Sequence, residues 1–202
     1  METPEKKSGF GSPMTGVIVG VAVILLLLGI WFIATGNRLV AQQESMRAAW
    51  AQVETVLQRR YDLIPNLVST VKGYAAHEKE ILESVTRLRS QWGAAGSVAD
   101  KAKAAGELEG VLSRLLVVAE RYPELKADQN FRDLQFELAG TENRIAVERQ
   151  RYNDSVRSYN TSVRQFPGSV VASLRNFQPS DAYFEAAAPA KEVPRVDFSG
   201  EK

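Results

Sequence analysis

The sequence predicts an all-α protein, an N-terminal transmembrane helix followed by an elongated antiparallel long-helix bundle. Three observations carry that expectation. No charged residue lies between Ser8 and Asn37. Beyond that run, apolar residues recur at three- and four-residue spacing, and the alternation and turn signals of strands and hairpins are absent. The last periodic stretch, Phe131 to Phe166, continues for about 36 residues, or roughly 54 Å of helix, which requires packing along a rod.

The segment Met14 to Thr35 is almost wholly apolar. At helical rise it covers a hydrocarbon core of about 30 Å. It is longer than the apolar run of a cleaved signal peptide, and Trp31 and Phe32 at its far end suit the water interface, so an uncleaved signal anchor is expected. Gly16 and Gly20 have the spacing that lets two spanning helices approach, although such a pair is common by chance in apolar runs. Lys6 and Lys7 flank one side and Arg38 and Arg47 the other. The count is nearly balanced, and the expected arrangement is a short inner arm (residues 1–13) with the large domain outside the cytoplasm.

With no cysteine in the chain, disulfides, lipoprotein processing and thiolate metal sites are excluded. Of 25 basic and 24 acidic residues, two of each precede the apolar run, so the remainder is almost neutral. That balance argues against nucleic acid as a partner. The remaining chain has the size of one domain, placed over 37–185.

In the first bundle segment Trp50, Val53, Leu57, Tyr61 and Ile64 form one stripe. Asp62-Leu-Ile-Pro65 is expected to kink or break it, because proline lacks the amide hydrogen of the helical ladder. A second helix then carries Leu67, Val71, Ala75, Leu82, Val85, Leu88 and Trp92 on a common face and ends at Gly93-Ala-Ala-Gly96. Ser97 is a candidate N-cap, with loop or a frayed turn reaching Gly106. A third helix reads Leu108, Leu112, Leu115, Ala119 and Tyr122, closed by Pro123.

Asp128 is placed to cap the fourth and longest helix, which stops at Pro167. Thr141 and Glu148 fall on its apolar stripe. Either Glu148 meets a buried arginine (Arg59, Arg60 or Arg144) in a register-fixing polar layer, or the 3.6-residue period drifts both to the boundary. The apolar patch of Val170, Val171, Leu174 and Phe177, and then Tyr183-Phe184-Glu185, are expected to fold back on the bundle. Residues 186–202 have the composition of a disordered tail.

Catalytic sets are hard to assemble. His77 is the single histidine and is expected on a strongly charged helical turn, where it reads as an exposed polar residue. Glu78 and Glu80, and Glu107 and Glu109, have spacings that do not face one another on a helix. The glycines from Gly93 to Gly106 lack a lysine-hydroxyl pair and a preceding strand for phosphate binding. Arg59 and Arg60 read as partners of acids within the chain. No cofactor, metal or catalytic residue is assigned.

Several blocks occur in one order: Arg59-Arg-Tyr-Asp-Leu-Ile-Pro-Asn-Leu-Val68 and Val71-Lys-Gly-Tyr-Ala-Ala-His-Glu-Lys79; then Ala119-Glu-Arg-Tyr-Pro-Glu-Leu-Lys126 and Asn130-Phe131; then Glu142-Asn-Arg-Ile-Ala146, Arg149, Tyr152-Asn-Asp154 and Tyr159-Asn160. Phe166-Pro167 and Tyr183-Phe-Glu185 follow. Together they resemble the signature of the LemA family over residues 38 to 185, with the tail beyond Ala186 outside it. The resemblance implies a single-pass bacterial membrane protein, in the inner membrane, with an elongated helical bundle and no catalytic residues; one relative is associated with magnetosome membrane formation. It implies structural roles for Arg59, Arg60, Tyr61, Asp62, Pro65 and Asn66, with Pro65 setting the kink. It implies the same for Asn143, Arg144, Tyr152 and Asn153, with Asn143 and Arg144 satisfying polar groups between helices. The expected partners are the lipid bilayer and either a second copy or an unidentified protein.

Overall fold

The computed structural model describes residues 13–184. The expected N-terminal arm, apart from Pro13, and the expected tail with Glu185 lie outside the described residues. All the regular structure among the described residues is helical.

The first element overturns the expected break. α1 (Pro13–Tyr74) is one helix of 62 residues, about 93 Å long, containing the apolar run, the first bundle segment and Pro65. An unbroken helical ladder would have the amide of residue 65 donate to the Tyr61 carbonyl, and proline has no hydrogen to give. Arg89 Nε, from the next helix, donates to Tyr61 O at 3.3 Å instead. The carbonyl left over by proline is thus satisfied from across the bundle, and the ring itself faces solvent.

The chain turns only after Tyr74, so the helix expected over Leu67–Trp92 is two pieces. Leu67 and Val71 close the buried stripe of α1, Ala75 is buried in the turn, and α2 (Lys79–Ala94) buries Leu82, Val85, Leu88 and Trp92. Residues 75–78 contain neither proline nor glycine. Distant groups hold the turn: Glu78 accepts from Arg121 Nη2 at 3.1 Å and from the Tyr122 hydroxyl at 3.0 Å, and the Tyr74 hydroxyl donates to Asp128 Oδ2 at 3.0 Å. His77 lies exposed in this interhelical turn rather than on a helix.

Ser97 does cap α3 (Val98–Ala119), its Oγ accepting from Asp100 N at 3.1 Å. Residues 98–106 are therefore helix and only 95–97 link α2 to α3. The third helix ends before Tyr122, and Pro123 opens the short α4 (Pro123–Ala127), in the first turn, where the amide hydrogen has no partner within the helix. Asp128 caps α5 (Gln129–Arg164), a 36-residue helix of the expected extent, by accepting from Phe131 N at 2.9 Å.

α1 and α5 run antiparallel: Gln42 meets Ser158, Trp50 meets Tyr152, Arg60 meets Glu142 and Tyr74 meets Asp128. That contact extends over about 48 Å of α1. The α2–α3 hairpin covers the far half, where Trp92 stacks on Tyr61 and Lys101 pairs with Glu54. The near half is closed by α6 (Gly168–Leu174), which buries Val171 and Ala172 in a small second core with Leu39, Tyr159 and Val163.

The α5–α6 corner contains a cis Phe166–Pro167 peptide. It also requires Gly168, since a Cβ there would lie 2.2 Å from the Ser162 carbonyl oxygen. α6 ends in a Schellman motif: Asn176, at φ 58°, occupies the left-handed position and Phe177 N donates to Ala172 O at 2.9 Å. Of the expected fold-back patch, Val171 is buried and Phe177 packs on the second core, while Val170 and Leu174 face outward.

Two outcomes are expected for the detergent-solubilised chain. In urea unfolding followed by circular dichroism, Arg89→Met lowers stability by about 1 kcal/mol, and the loss nearly vanishes when Pro65→Ala restores the ladder donor. The Asp128 carboxyl is held below its ordinary value of 3.8, chiefly by the Phe131 amide, against burial and with help from the Tyr74 hydroxyl. The stabilisation is complete above that ordinary value and is lost as pH falls through the lower folded one. An acid unfolding series on Asp128→Asn should therefore show a shallower loss than the parent below about pH 4.

Candidate functional site

Midway along the bundle the chain places an arginine–aromatic layer where a plain apolar seam would suffice. Arg60, 7% exposed, reaches from α1 to Glu142 on α5. Arg149 on α5 pairs with Glu109 on α3 at 3.3 Å, and its guanidinium lies 5.1 Å from the centre of the Phe184 ring. Between them Tyr61 and Trp92 stack with centroids 4.2 Å apart and planes 14° from parallel, and Lys101 stands 5.4 Å over the Trp92 ring.

The layer is imperfectly satisfied. Arg60 Nε, Arg149 Nε, Trp92 Nε1 and the Tyr61 hydroxyl are buried without a hydrogen-bond partner. Burial pushes the Tyr61 phenol well above its ordinary value, more strongly than the nearby Arg60 and Arg149 charges lower it. Such a layer costs desolvation energy that an apolar seam would not, and its best-attested return is a fixed helix register.

Glu148 meets none of the three arginines expected for it and sits half-buried at the boundary, as drift of the period implies, whereas Thr141 is buried. Glu148 pairs with Arg151 on its own helix at 2.7 Å, and Glu142, which lies off the apolar stripe, takes the buried arginine. Thr141 is buried and returns its hydroxyl proton to the Leu138 carbonyl at 2.8 Å. Arg59, one residue from Arg60, makes an exposed pair with Glu137 at 3.2 Å. Asp62 accepts from Gln58 at 2.7 Å on the solvent face. Asn66 is exposed beside an open groove between α1 and α5. Asn143 and Arg144 are exposed as well, so neither satisfies polar groups between helices.

Toward the near end, residues 177–184 form a strap without regular structure, clasped by the last turns of α5. Asn153 donates to the Phe184 carbonyl and accepts from the Phe184 amide, both at 2.9 Å. Asn160 brackets Ser180 in the same way, at 2.7 and 2.8 Å, and also donates to the Tyr183 hydroxyl at 3.0 Å. The Tyr159 hydroxyl donates to the Gln178 carbonyl at 2.9 Å. Phe184 then fills a cage of Trp50 and Tyr152, with centroids 5.7 and 5.9 Å away.

Tyr152 and Asn153 therefore act together, one as wall and one as clasp. Sequence patterning could expect the docking of Phe184 but not the clasp, because the signal is two asparagines seven positions apart on one face of α5. Arg89 carried no signal of its own, and Glu142 only its place in the Glu142–Ala146 block.

The apolar run behaves differently from the bundle. From Met14 to Ile30 every described side chain is exposed, Gly16 and Gly20 have open space where a Cβ would stand, Trp31 is partly covered, and Thr35 meets the α5–α6 corner. This is the one helix among the described residues long and apolar enough to cross a membrane. Among the described residues no group of three or more histidine or carboxylate side chains is arranged to hold a metal ion.

The sequence profile of the LemA family matches residues 49–198, beginning within α1 past the apolar run and reaching into the tail. Among curated proteins, the chain is 27% identical to the magnetosome protein MamQ 2 of Paramagnetospirillum magneticum, over 90% of this chain and 77% of that protein. It is 26% identical to the magnetosome protein MamQ of Magnetospirillum gryphiswaldense, over 79% and 68% respectively. It is also 26% identical to protein LemA of Metamycoplasma hominis, over 86% and 78%.

Neighbouring arginines give a direct check on the layer. Glu142→Gln, which leaves Arg60 buried without its counter-charge, should cost about 2–3 kcal/mol in urea unfolding. Glu137→Gln, which strips the exposed Arg59, should cost less than about 1 kcal/mol.

Proposed function

This chain belongs to the LemA family, and on that footing we propose that it is a non-catalytic, membrane-anchored helical scaffold that self-associates or recruits partners in envelope organisation or membrane remodelling. The observation that carries the proposal is the continuity of α1. One helix supplies the apolar run and the spine on which α2, α3, α5 and α6 pack. A bundle joined to its anchor without a linker is held at a fixed height and direction, which serves assembly rather than reach. The magnetosome proteins among the relatives fit a role at a membrane surface, and none of the relatives described above is named as an enzyme.

In this reading Met14–Thr35 crosses the bacterial inner membrane once, with Lys6 and Lys7 inside and the bundle outside the cytoplasm. The alternative, a sensor or adaptor for an envelope protease or signalling partner, takes the tail and residues 93–106 as its recognition elements, of which 98–106 are helix rather than the expected loop.

Photo-crosslinking in living cells tests the scaffold reading. A crosslinking residue at Phe136 or Val147, both exposed on α5, should give a discrete homomeric or heteromeric band at native expression. A monomer that crosslinks to nothing from either position, or from Val117 on α3, would contradict it.

A further inference from the structure

The near end of the bundle carries an exposed apolar stripe that packing does not explain. Phe166 at the α5–α6 corner, and Val170 and Leu174 one turn apart on α6, are 83%, 45% and 71% exposed. Elsewhere on the bundle large exposed apolar side chains such as Val117 and Phe136 stand singly. Here Phe166 adjoins Trp31, which with Thr35 and Arg38 lines a groove against Phe166, Pro167 and Gly168.

The height of the stripe is fixed by α1. The segment Met14–Thr35 ends one residue before Gly36. Arg175 Nη1 lies against Gly36, where a Cβ would come within 2.0 Å of it, and Leu39 packs on Val171 and Ala172. Thr35 to Leu39 is about 6 Å of helix, within a headgroup layer of about 5–7 Å per leaflet. The corner therefore stands at the level of the lipid headgroups if Met14–Thr35 spans the bilayer.

Its charge matches that level. No acidic residue occurs from Ser8 to Gln43 or from Ser155 to Ser180. Arg38, Arg164 and Arg175 are exposed there, and the carboxylate nearest to them is Asp181, 3.9 Å from Arg164. Apolar side chains ringed by arginines are what an anionic membrane interface accommodates.

We infer that the α5–α6 corner is a second membrane contact, in which Phe166, Val170 and Leu174 enter the interfacial layer of the leaflet that α1 leaves while Arg38, Arg164 and Arg175 meet the phosphates of anionic lipids. The inference rests on the spanning reading of α1. Two contacts on one rigid body fix the tilt of the bundle, which a single span leaves free to vary.

The absence of cysteine permits single reporters. The full chain, reconstituted in nanodiscs of equal parts phosphatidylcholine and phosphatidylglycerol, would carry an environment-sensitive fluorophore on Phe166→Cys, Val170→Cys or Leu174→Cys. Phe136→Cys serves as a distant control and Leu25→Cys as a mid-span reference. The corner labels should show blue-shifted emission, quenching by nitroxide lipids and loss of quenching by iodide, and Phe136→Cys the reverse. In pure phosphatidylcholine, or with Arg164→Gln and Arg175→Gln, iodide access at the corner should return; unchanged shielding would overturn the anionic-lipid assignment. Corner labels as open to iodide as the control, with Leu25→Cys buried in lipid, would overturn this inference and leave the span standing. Iodide access at Leu25→Cys would overturn both, and corner labels shielded from iodide but unreached by nitroxide lipids would assign the stripe to a second copy or another protein instead.

Discussion

A helix that must pass a proline without breaking needs a donor from elsewhere, and the Arg89 guanidinium on the Tyr61 carbonyl is that donor. Everything above it in the architecture depends on α1 being continuous. Continuity sets the antiparallel register with α5, places the α2–α3 hairpin on the far half, and holds the corner of α6 beside the end of the apolar run. A break at Pro65 would give the bundle a hinge and free its far half from the register of α1.

Close to that bond lies the costliest part of the molecule. Arg60, Tyr61, Trp92 and Arg149 bury polar atoms that packing alone would replace with methyl groups. Their arrangement is specific in a way methyl groups are not: Arg60 finds one acid on α5, Arg149 finds another on α3, and the Tyr61–Trp92 stack fits between. Helices as long as α1 and α5 could slide by one turn with little loss of apolar contact. A slip of about 5.4 Å would separate Arg60 from Glu142 and strand its charge in the core. The layer therefore serves register, at an expense in stability that the two apolar cores offset.

Much of this was legible in the chain, and the rest was illegible for identifiable reasons. The apolar run, the Val53–Ile64 stripe, the N-caps Ser97 and Asp128 and the length of α5 are local signals, and each formed as its pattern implied. Pro65 did not break its helix, because a proline states only which hydrogen is missing and tertiary contact decides whether that matters; Pro123 does follow the end of the third helix, and also opens α4. The turn at 75–78 left no mark, since the groups that hold it lie more than forty positions away in the chain. Glu148 drew attention by lying on the stripe, but a charge able to reach a buried arginine sits at the edge of the stripe, where Glu142 is. The clasp of Asn153 and Asn160 on the strap is equally invisible to periodicity, because the strap has none.

The continuity of α1 through Pro65, from the end of the apolar run to the far tip, is the central structural claim. Its most direct test is a spin-label distance between Asn37→Cys and Lys72→Cys, two exposed positions on α1, in the full chain reconstituted in nanodiscs. An unbroken helix separates them by about 52 Å and gives one narrow distance distribution. A shorter or broad distribution would show that α1 bends or breaks between the two labels, and would remove the fixed link between membrane and bundle on which the account stands.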